Sequence, residues 1–296
     1  MRDVWRIGLG AAGVTSAIIA AQEWMARRYY ASTLGPREFV DQDARAAWTA
    51  VWHELWAPLE LATLHASSVY RGHGVAQGAG DPVVLVPGFL LRGRYLWPMQ
   101  RWLRRLGYRA QIAGIGVNAD CIDVMTDRLL RVVAGVSEEA NGPVHLVGHS
   151  LGGLLARAVA TRAREQVASV AVLGSPFRGL RMHPVVRAAA GVVQVVIRGR
   201  RGVTVRSRCL TLACDCLSVR ALHQPAPADM PQLAVVTRHD GLTDWRYCMD
   251  PSTTTVVGVS GSHVGLVWSP AAYRALADHL RRASTRLDAR MAIGTG

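Results

Sequence analysis

A serine that stands between glycines, directly after an apolar run, is the strongest chemical feature of the sequence. Residues 147–153 read Val-Gly-His-Ser-Leu-Gly-Gly, and the apolar run Val144–Val147 leads into them. The pattern G-x-S-x-G between a strand and a helix is typical of a strained turn that exposes a nucleophilic hydroxyl. Glycines are needed around such a turn because neighbouring side chains would collide there. The sequence therefore predicts that Ser150 is a nucleophile.

A serine hydroxyl needs a histidine as general base, and a carboxylate must hold that histidine. On this type of turn the chain order is serine, then acid, then histidine, with the histidine shortly before the last helix. His263 has this position, in the small-residue loop that precedes the helix beginning at Pro270. We expect the acid in the loop after the apolar run Leu233–Val236. Asp240 is our choice there.

Two other acids stay open as alternatives to Asp240. Asp244 lies one turn later in the same loop, and Asp250 follows at a greater distance. The neighbouring histidines are expected to have other roles. His149 is predicted to pack under the turn that carries the nucleophile, and His239 to lie at the surface or behind the acid.

Two backbone N–H groups are needed to stabilise the oxyanion that forms during attack on an acyl group. One is expected from Leu151, the residue after the nucleophile. The other is expected from Phe89, because the apolar run Val83–Val86 leads into the turn Pro87-Gly88-Phe89.

The elements that position these residues alternate between strands and helices. Such alternation predicts an α/β fold with a mostly parallel central sheet flanked by helices. The predicted strands lie at 83–86, 110–115, 144–147, 168–173, 233–236 and 254–257, and the predicted helices at 97–106, 122–136, 151–165 and 270–283.

With these motifs in order, the chain resembles a bacterial branch of α/β-hydrolases that is described as lipase- or esterase-like. The matching segments are VPGFL (86–90), CIDVMTDRL (121–129), GHSLGG (148–153), LGSPFRG (173–179), CLTLAC (209–214), RHDGLTDWRYC (238–248) and GSHVGL (261–266). The resemblance implies the α/β-hydrolase fold, a triad of Ser150, Asp240 and His263, and an oxyanion hole at Phe89 and Leu151. Some relatives have a cysteine after the catalytic histidine, which can pair with the one matching Cys248. This chain has Val264 there, so the resemblance implies that Cys248 is a free thiol.

We expect three regions along the chain: an N-terminal segment (1–30), a helical extension and linker (31–81), and an α/β-hydrolase domain (82–290). Within that domain, residues 177–231 occupy the place where this fold inserts a cap. Their apolar run 192–197 and the arginines that follow predict a small cap over an acyl pocket. An ordinary surface helix and loop is the alternative.

The N-terminal segment contains the apolar stretch Ile7–Ala21 after two arginines. Its length suits a membrane anchor or a signal peptide, and a helix packed on its own domain is the third possibility. We expect an exported or membrane-associated protein, with a cytoplasmic location as the alternative. Further on, residues 43–65 are predicted to be helical, with Trp48, Trp52 and Trp56 on one face. That face suits packing or a bilayer interface, and Pro58 is expected to kink or end the helix.

The composition limits the range of partners. Lys and Arg exceed Asp and Glu by 34 to 21, which gives a net charge of +13. This excess predicts contact with an anionic partner such as a membrane surface, or it is a compositional bias of the surface. No basic run is interleaved with aromatic residues, so we expect no nucleic acid partner. The cysteine cluster 209, 214 and 216 has only His223 nearby, so no metal or cofactor is expected.

Esters are the expected substrates, either small molecules or lipids, and the resemblance supports this chemistry better than any particular substrate. An acyltransferase or thioesterase with the same triad is the main alternative. A non-catalytic binding protein that kept the fold is the other.

Overall fold

The computed structural model describes residues 51–177, 216–224, 229–249 and 255–294, with the single positions 192 and 227. The apolar stretch 7–21, Trp48, Asp250, Cys209 and Cys214 lie outside the described residues, as does most of the cap predicted at 177–231.

A parallel sheet forms the centre of the described part of the chain. Its strands run in the spatial order β2-β1-β3-β4-β5-β6, and every neighbouring pair is parallel. The strands are β1 (Pro82–Val86), β2 (Arg109–Ile112), β3 (Val144–His149), β4 (Val167–Leu173), β5 (Gln232–Val236) and β6 (Thr255–Gly258). This arrangement confirms the predicted mostly parallel sheet.

Helices cover both faces of the sheet, which explains why its strands are continuous apolar runs. The α-helices are α1 (Ala57–Ala66), α2 (Trp97–Arg105), α3 (Ile122–Ala140), α4 (Leu151–Arg162), α5 (Leu217–His223) and α6 (Pro270–Gly294). Helices α3, α4 and α5 share one hydrophobic core with the sheet, and α1, α2 and α6 share the other. In β1, for example, Val84 belongs to the first core and Leu85 to the second.

The strand order places two loops next to each other at the carboxyl edge of the sheet. β1 lies between β2 and β3, so the chain changes direction across the sheet at the β1–β3 pair. Ligands of parallel α/β sheets bind at such a switch point, beyond the carboxyl ends of the strands. The loop after β1 contains Phe89, and β3 is followed by Ser150.

The N-terminal part of the described chain is helical but changes its helix type near Pro58. A 3-10 helix (Val51–Trp56) leads into α1, and Pro58 lies in the first turn of α1. The helix predicted over 43–65 is therefore divided close to Pro58, into a 3-10 helix that ends at Trp56 and an α-helix that begins at Ala57. Proline fits the first turn because the N–H that it lacks would have no partner inside the helix.

The face expected to carry the tryptophan stripe is open to solvent. Trp52 is 65% exposed and Trp56 is 58% exposed, so neither is buried in a packing face. Leu55 and Leu59 in the same segment are also exposed. Throughout the described ranges, no helix combines the length and the apolar character that a membrane crossing requires.

Candidate active site

Ser150 occupies the turn between β3 and α4 in a conformation that side chains rarely adopt. Its φ is 53° and its ψ is −125°, which is strained for a residue with a side chain. The N–H of Ser150 donates to the carbonyl oxygen of Leu173 at the end of β4 (2.8 Å). The strained residue is therefore fixed between β3 and its neighbour β4, and its side chain is partly exposed.

The glycines around Ser150 are required by close backbone contacts. A Cβ on Gly148 would overlap the backbone of Gly153, and a Cβ on Gly152 would overlap the carbonyl oxygen of Val86. A Cβ on Gly153 would overlap the side chain of Ser175. The three glycines let the first turn of α4 approach β1 and β4 closely, which produces the sharp turn.

The two amides expected to stabilise an oxyanion remain available. Neither the N–H of Phe89 nor that of Leu151 donates a hydrogen bond to any residue in the described ranges. For Leu151 this follows from its place in the first turn of α4, where helical N–H groups have no partner in the helix. The positive end of the helix dipole also lies at this position.

Hydrogen bonds on both sides of Phe89 hold the turn in which it lies. The N–H of Leu90 donates to Asn118 O (2.8 Å), and Asn118 Nδ2 donates to Pro87 O (2.8 Å). A Cβ on Gly88 would lie only 3.3 Å from Cβ of Ser150. The turn therefore lies directly against the candidate nucleophile.

Asp240 and His263 are brought together by the loops that follow β5 and β6. His263 Nδ1 lies 2.6 Å from Asp240 Oδ2, and the two side chains are 2% and 0% exposed. The carboxylate also accepts hydrogen bonds from Leu242 N (2.9 Å), Thr243 N (2.7 Å) and Thr243 Oγ1 (2.9 Å). All four contacts fix the orientation of Asp240 toward the imidazole.

The alternative acid Asp244 has a different partner. Its carboxylate accepts hydrogen bonds from Arg246 Nε (3.0 Å) and Nη2 (2.7 Å), within the same short loop. The structure therefore places Asp240, and not Asp244, beside His263.

The His263 ring lies on the nucleophile side of the sheet. A Cβ on Gly174, the residue after β4, would lie 3.1 Å from Cε1 and Nδ1 of His263. Because Leu173, directly before Gly174, binds the N–H of Ser150, the ring and the serine approach the same point of the chain. With Nδ1 bound to Asp240, Nε2 is the ring nitrogen left to accept a proton.

The surroundings of His263 shift its pKa. Burial lowers the pKa, but the charge of Asp240, its hydrogen bond to Nδ1 and the charge of Glu54 outweigh burial, so the pKa of His263 is raised. Burial and the nearby His263 instead lower the pKa of His149 to about 3. With this low pKa, His149 is a much weaker base than His263.

His149 is a connecting residue beneath the turn. Its Nε2 lies 3.1 Å from the carbonyl oxygen of His263, and its Nδ1 lies 3.0 Å from the hydroxyl of Tyr95. The hydroxyl of Tyr95 accepts a hydrogen bond from Gly88 N (2.8 Å). The packing role predicted for His149 from sequence left out this link to two loops of the site.

Two carboxylates that belong to none of the sequence motifs also reach the site. Glu54, in the 3-10 helix, accepts a hydrogen bond from the N–H of His263 (2.9 Å). Glu60, in α1, accepts hydrogen bonds from the N–H and the hydroxyl of Ser262 (both 2.6 Å). The only sequence signal for them was the pair of glycines, Gly261 and Gly265, that flanks Ser262 and His263.

Cys248 and His239 lie in the part of the chain that follows β5. Cys248 is a buried free thiol, as the absence of a cysteine at position 264 implied. His239 is exposed in the loop after β5, at the surface, and its carbonyl oxygen lies 3.2 Å from Nδ1 of His53.

No protein-family model matches the chain. Among solved structures, it is similar to a carboxyl esterase from a metagenome, with 16% identity and a TM-score of 0.50 over 72% of this chain and 78% of that chain. It is also similar to a Bacillus licheniformis lipase in its propeptide form, with 15% identity and a TM-score of 0.50. That match covers 66% of this chain and 48% of the lipase chain. Together with the parallel six-stranded sheet, these similarities show the α/β-hydrolase fold.

Proposed function

We propose that this chain, an α/β-hydrolase by fold, is a serine hydrolase that cleaves carboxylic esters. Ser150 is the nucleophile, His263 the general base and Asp240 the acid that orients it. The observation that supports this proposal best is the buried 2.6 Å contact between His263 Nδ1 and Asp240 Oδ2, with His263 next to Gly174 and the strained Ser150 bound to the preceding Leu173. A strained residue persists only where the surrounding structure holds it, and such sites are often functional.

The reaction follows from these positions. Nε2 of His263 takes the proton of Ser150 Oγ as the oxygen attacks the ester carbonyl carbon. The carbonyl oxygen becomes an oxyanion, and the N–H groups of Phe89 and Leu151 donate hydrogen bonds to it. The intermediate then collapses, the bond to the alkoxy oxygen breaks, and the imidazolium protonates the departing alcohol.

Water completes the cycle. His263 removes a proton from a water molecule, whose oxygen attacks the acyl carbon bound to Ser150. Collapse of the second intermediate breaks the bond to Ser150 Oγ, returns the proton to that oxygen and releases the carboxylic acid. Asp240 stabilises the imidazolium in both halves by its charge and holds the tautomer that leaves Nε2 unprotonated in the resting state.

Apolar side chains near the site support an ester with an apolar acyl group. Leu90 and Leu91 directly follow Phe89 and are 38% and 37% exposed. The segment that contains Glu54 presents Trp52 and Leu55 to solvent. Exposed apolar groups of this kind are typical of sites that receive apolar ligands or surfaces.

A membrane surface is the proposed location of a lipid ester substrate. The net charge of +13 favours anionic headgroups, and tryptophans are enriched at the interface between water and lipid. Binding of the purified protein to anionic vesicles, compared with neutral vesicles, tests this part of the proposal. If the protein binds neither type of vesicle, the proposed membrane location is contradicted, but the proposed chemistry is not affected.

The experiment is hydrolysis of p-nitrophenyl esters from acetate to palmitate by the wild type, Ser150→Ala and the control Ser68→Ala. Ser68 is an exposed serine away from the sheet edge. We expect turnover by the wild type and the control, and none above background by Ser150→Ala. A fluorophosphonate should label Ser150 in the wild type and in Ser68→Ala, and should leave Ser150→Ala unlabelled.

Other outcomes would change the proposal. Ester products formed with added alcohols or thiols, at the expense of free acid, would indicate an acyltransferase. Folded protein with no turnover on any ester and no labelling of Ser150 would indicate a binding protein.

A further inference from the structure

Two carboxylates from the N-terminal part of the described chain bind the loops that present Asp240 and His263. Glu54 Oε1 accepts hydrogen bonds from Gly241 N (3.1 Å) and His263 N (2.9 Å), and Glu54 Oε2 accepts one from Val264 N (2.9 Å). Glu54 thus contacts the residue after the proposed acid, the proposed base itself and the residue after the base. It bridges the two loops.

Glu60 adds a second attachment to the loop of the base. Its Oε1 accepts a hydrogen bond from Ser262 N (2.6 Å) and its Oε2 accepts one from Ser262 Oγ (2.6 Å). Ser262 Oγ in turn accepts a hydrogen bond from Gly265 N (3.0 Å). The main chain on both sides of His263 is therefore fixed through Glu60.

The loop is shaped to admit the Glu60 carboxylate. A Cβ on Gly265 would overlap it, and a Cβ on Gly261 would lie 2.9 Å from Glu60 Oε1. Gly261 also has a φ of +133°, which favours glycine. The glycines that precede and follow His263 thus provide the room that Glu60 occupies.

These contacts offset an energetic cost. Burial raises the pKa of Glu60, because a charged carboxylate is less stable when it is removed from water. The charge of the nearby Glu54 raises the pKa further. Hydrogen bonds from Ser262 act in the opposite direction. Glu54 and Glu60 are close enough for the charge of Glu54 to raise the pKa of Glu60, so their hydrogen bonds to the loops hold them together against this repulsion.

We propose that Glu54 and Glu60 are positioning residues for His263, and that the segment Val51–Ala66 is therefore a working part of the active site. This inference rests on the proposed function. Glu54 fixes the separation of the acid and base loops, and Glu60 fixes the backbone of the base. Neither carboxylate touches the imidazole ring.

Glu54 also acts on His263 by its charge. The groups that face the imidazole of His263 are Asp240 at Nδ1, the ring of His149 at a centroid distance of 4.9 Å, and Glu54 at the main chain. The charge of Glu54 contributes to the raised pKa of His263. Replacing Glu54 by glutamine removes this charge, so the pKa of His263 should fall.

The test compares pH profiles of ester hydrolysis for the wild type, Glu54→Gln, Glu54→Asp and Glu60→Ala. Glu139→Gln is the control, because Glu139 is exposed on α3. For Glu54→Gln we expect kcat to fall roughly 10- to 100-fold with unchanged KM, since small displacements of a catalytic group have effects of this size. The acidic limb of its kcat/KM profile should move to lower pH. Glu54→Asp should lower kcat and leave the acidic limb in place, because it keeps the charge.

Glu60→Ala should lower kcat with unchanged KM and without a comparable shift of the limb. The inference is overturned if the folded Glu54 and Glu60 variants lose only thermal stability and keep the kcat and pH profile of the wild type. Turnover by the wild type separates this failure from a failure of the proposed function.

A measurement independent of turnover completes the test. In protein labelled with ¹⁵N-histidine, the titration of His263 followed by NMR should shift to lower pH in Glu54→Gln and remain in place in Glu139→Gln. An unshifted titration in a folded Glu54→Gln protein would contradict the role of Glu54 whether or not any ester is hydrolysed.

Discussion

His149 donates a hydrogen bond from Nε2 to the carbonyl oxygen of His263, so the residue before the nucleophile supports the backbone of the proposed base. A carbonyl oxygen only accepts, which fixes the proton of His149 on Nε2 and leaves Nδ1 as an acceptor. The hydroxyl of Tyr95 must then donate to Nδ1, while it accepts from Gly88 N. The side chains of Tyr95 and His149 therefore connect three parts of the site: the turn that contains Gly88, the turn that contains Ser150, and the loop that contains His263.

Replacing Tyr95 by phenylalanine should disturb this connection. The variant leaves Gly88 N and His149 Nδ1 without their partner, and an unpaired buried polar group costs about 1–3 kcal/mol. We expect roughly tenfold lower kcat and a lower melting temperature, measured by ester hydrolysis and thermal unfolding. Tyr273→Phe is the matched control, because the buried hydroxyl of Tyr273 has no hydrogen-bond partner in the described structure. Equal effects of the two substitutions would show that Tyr95 has no special role.

Asp240→Asn should nearly abolish turnover while the protein stays folded. An amide in place of Oδ2 donates to His263 Nδ1 and forces the ring proton onto Nε2, which then cannot accept the proton of Ser150. We expect kcat to fall roughly 10³- to 10⁴-fold, as in other triads. Asp244→Asn is the comparison: its carboxylate binds Arg246, so its kcat should stay near that of the wild type. If Asp244→Asn loses more kcat than Asp240→Asn, Asp240 is not the acid that orients His263.

Gly265→Ala should reduce activity because its Cβ would displace the Glu60 carboxylate. Removing the carboxylate as well, in the double variant Gly265→Ala with Glu60→Ala, should restore stability relative to Gly265→Ala, since the collision is gone. Gly135→Ala is the control: nothing lies within 4 Å of its Cβ, and alanine in a helix is favoured by about 1 kcal/mol over glycine. Unfolding and kcat of the four proteins check this prediction. A double variant that is less stable than Gly265→Ala would contradict it.

Buried histidines should make the fold sensitive to acid. Burial lowers the pKa of His145 to about 4, of His149 to about 3 and of His279 to about 3. The unfolded chain binds protons near pH 6.5, where these folded histidines do not, so stability is complete above pH 6.5 and falls as the pH falls toward 4. His263 has a raised pKa and opposes the trend, but it is one group against three.

The measurement is the melting temperature between pH 7.5 and pH 5 for the wild type, His145→Asn and the exposed-site control His73→Asn. His145 is held between Ser169 and Ser284, and asparagine keeps a polar group there. His145→Asn should be less stable at pH 7.5 and lose less stability on acidification. A loss that equals that of the wild type would show that His145 does not titrate on unfolding.

The sequence predicted the sheet well because parallel strands that are buried on both faces are apolar runs that stand out between helices. Ser150 and His263 could be singled out because each stands in a short pattern with a defined place between elements. The choice between Asp240 and Asp244 remained open in the sequence, since both lie in one loop. Their partners, His263 for one and Arg246 for the other, exist only in the folded chain.

Glu54 and Glu60 could not be found from the sequence for a related reason. Their hydrogen bonds reach across 187 to 210 residues of sequence, and no local pattern marks such contacts. The tryptophans of this segment suit packing or a bilayer interface, and nothing in their spacing indicates a contact with the loop of His263. The hydrogen bonds of the two glutamates, and not the aromatic side chains, connect this segment to the site.

The separation of 209 residues between Glu54 and His263 has a consequence for the order of folding. Contacts between distant parts of a chain form late, because closing a large loop loses much chain entropy before any contact compensates for it. During synthesis the strand and turn of Ser150 leave the ribosome long before His263 does. The emerging chain therefore has the proposed nucleophile without the proposed base, and the proposed active site is complete only when the two ends of the described part of the chain meet. Reactivity of Ser150 toward a fluorophosphonate during refolding reports this last step of assembly.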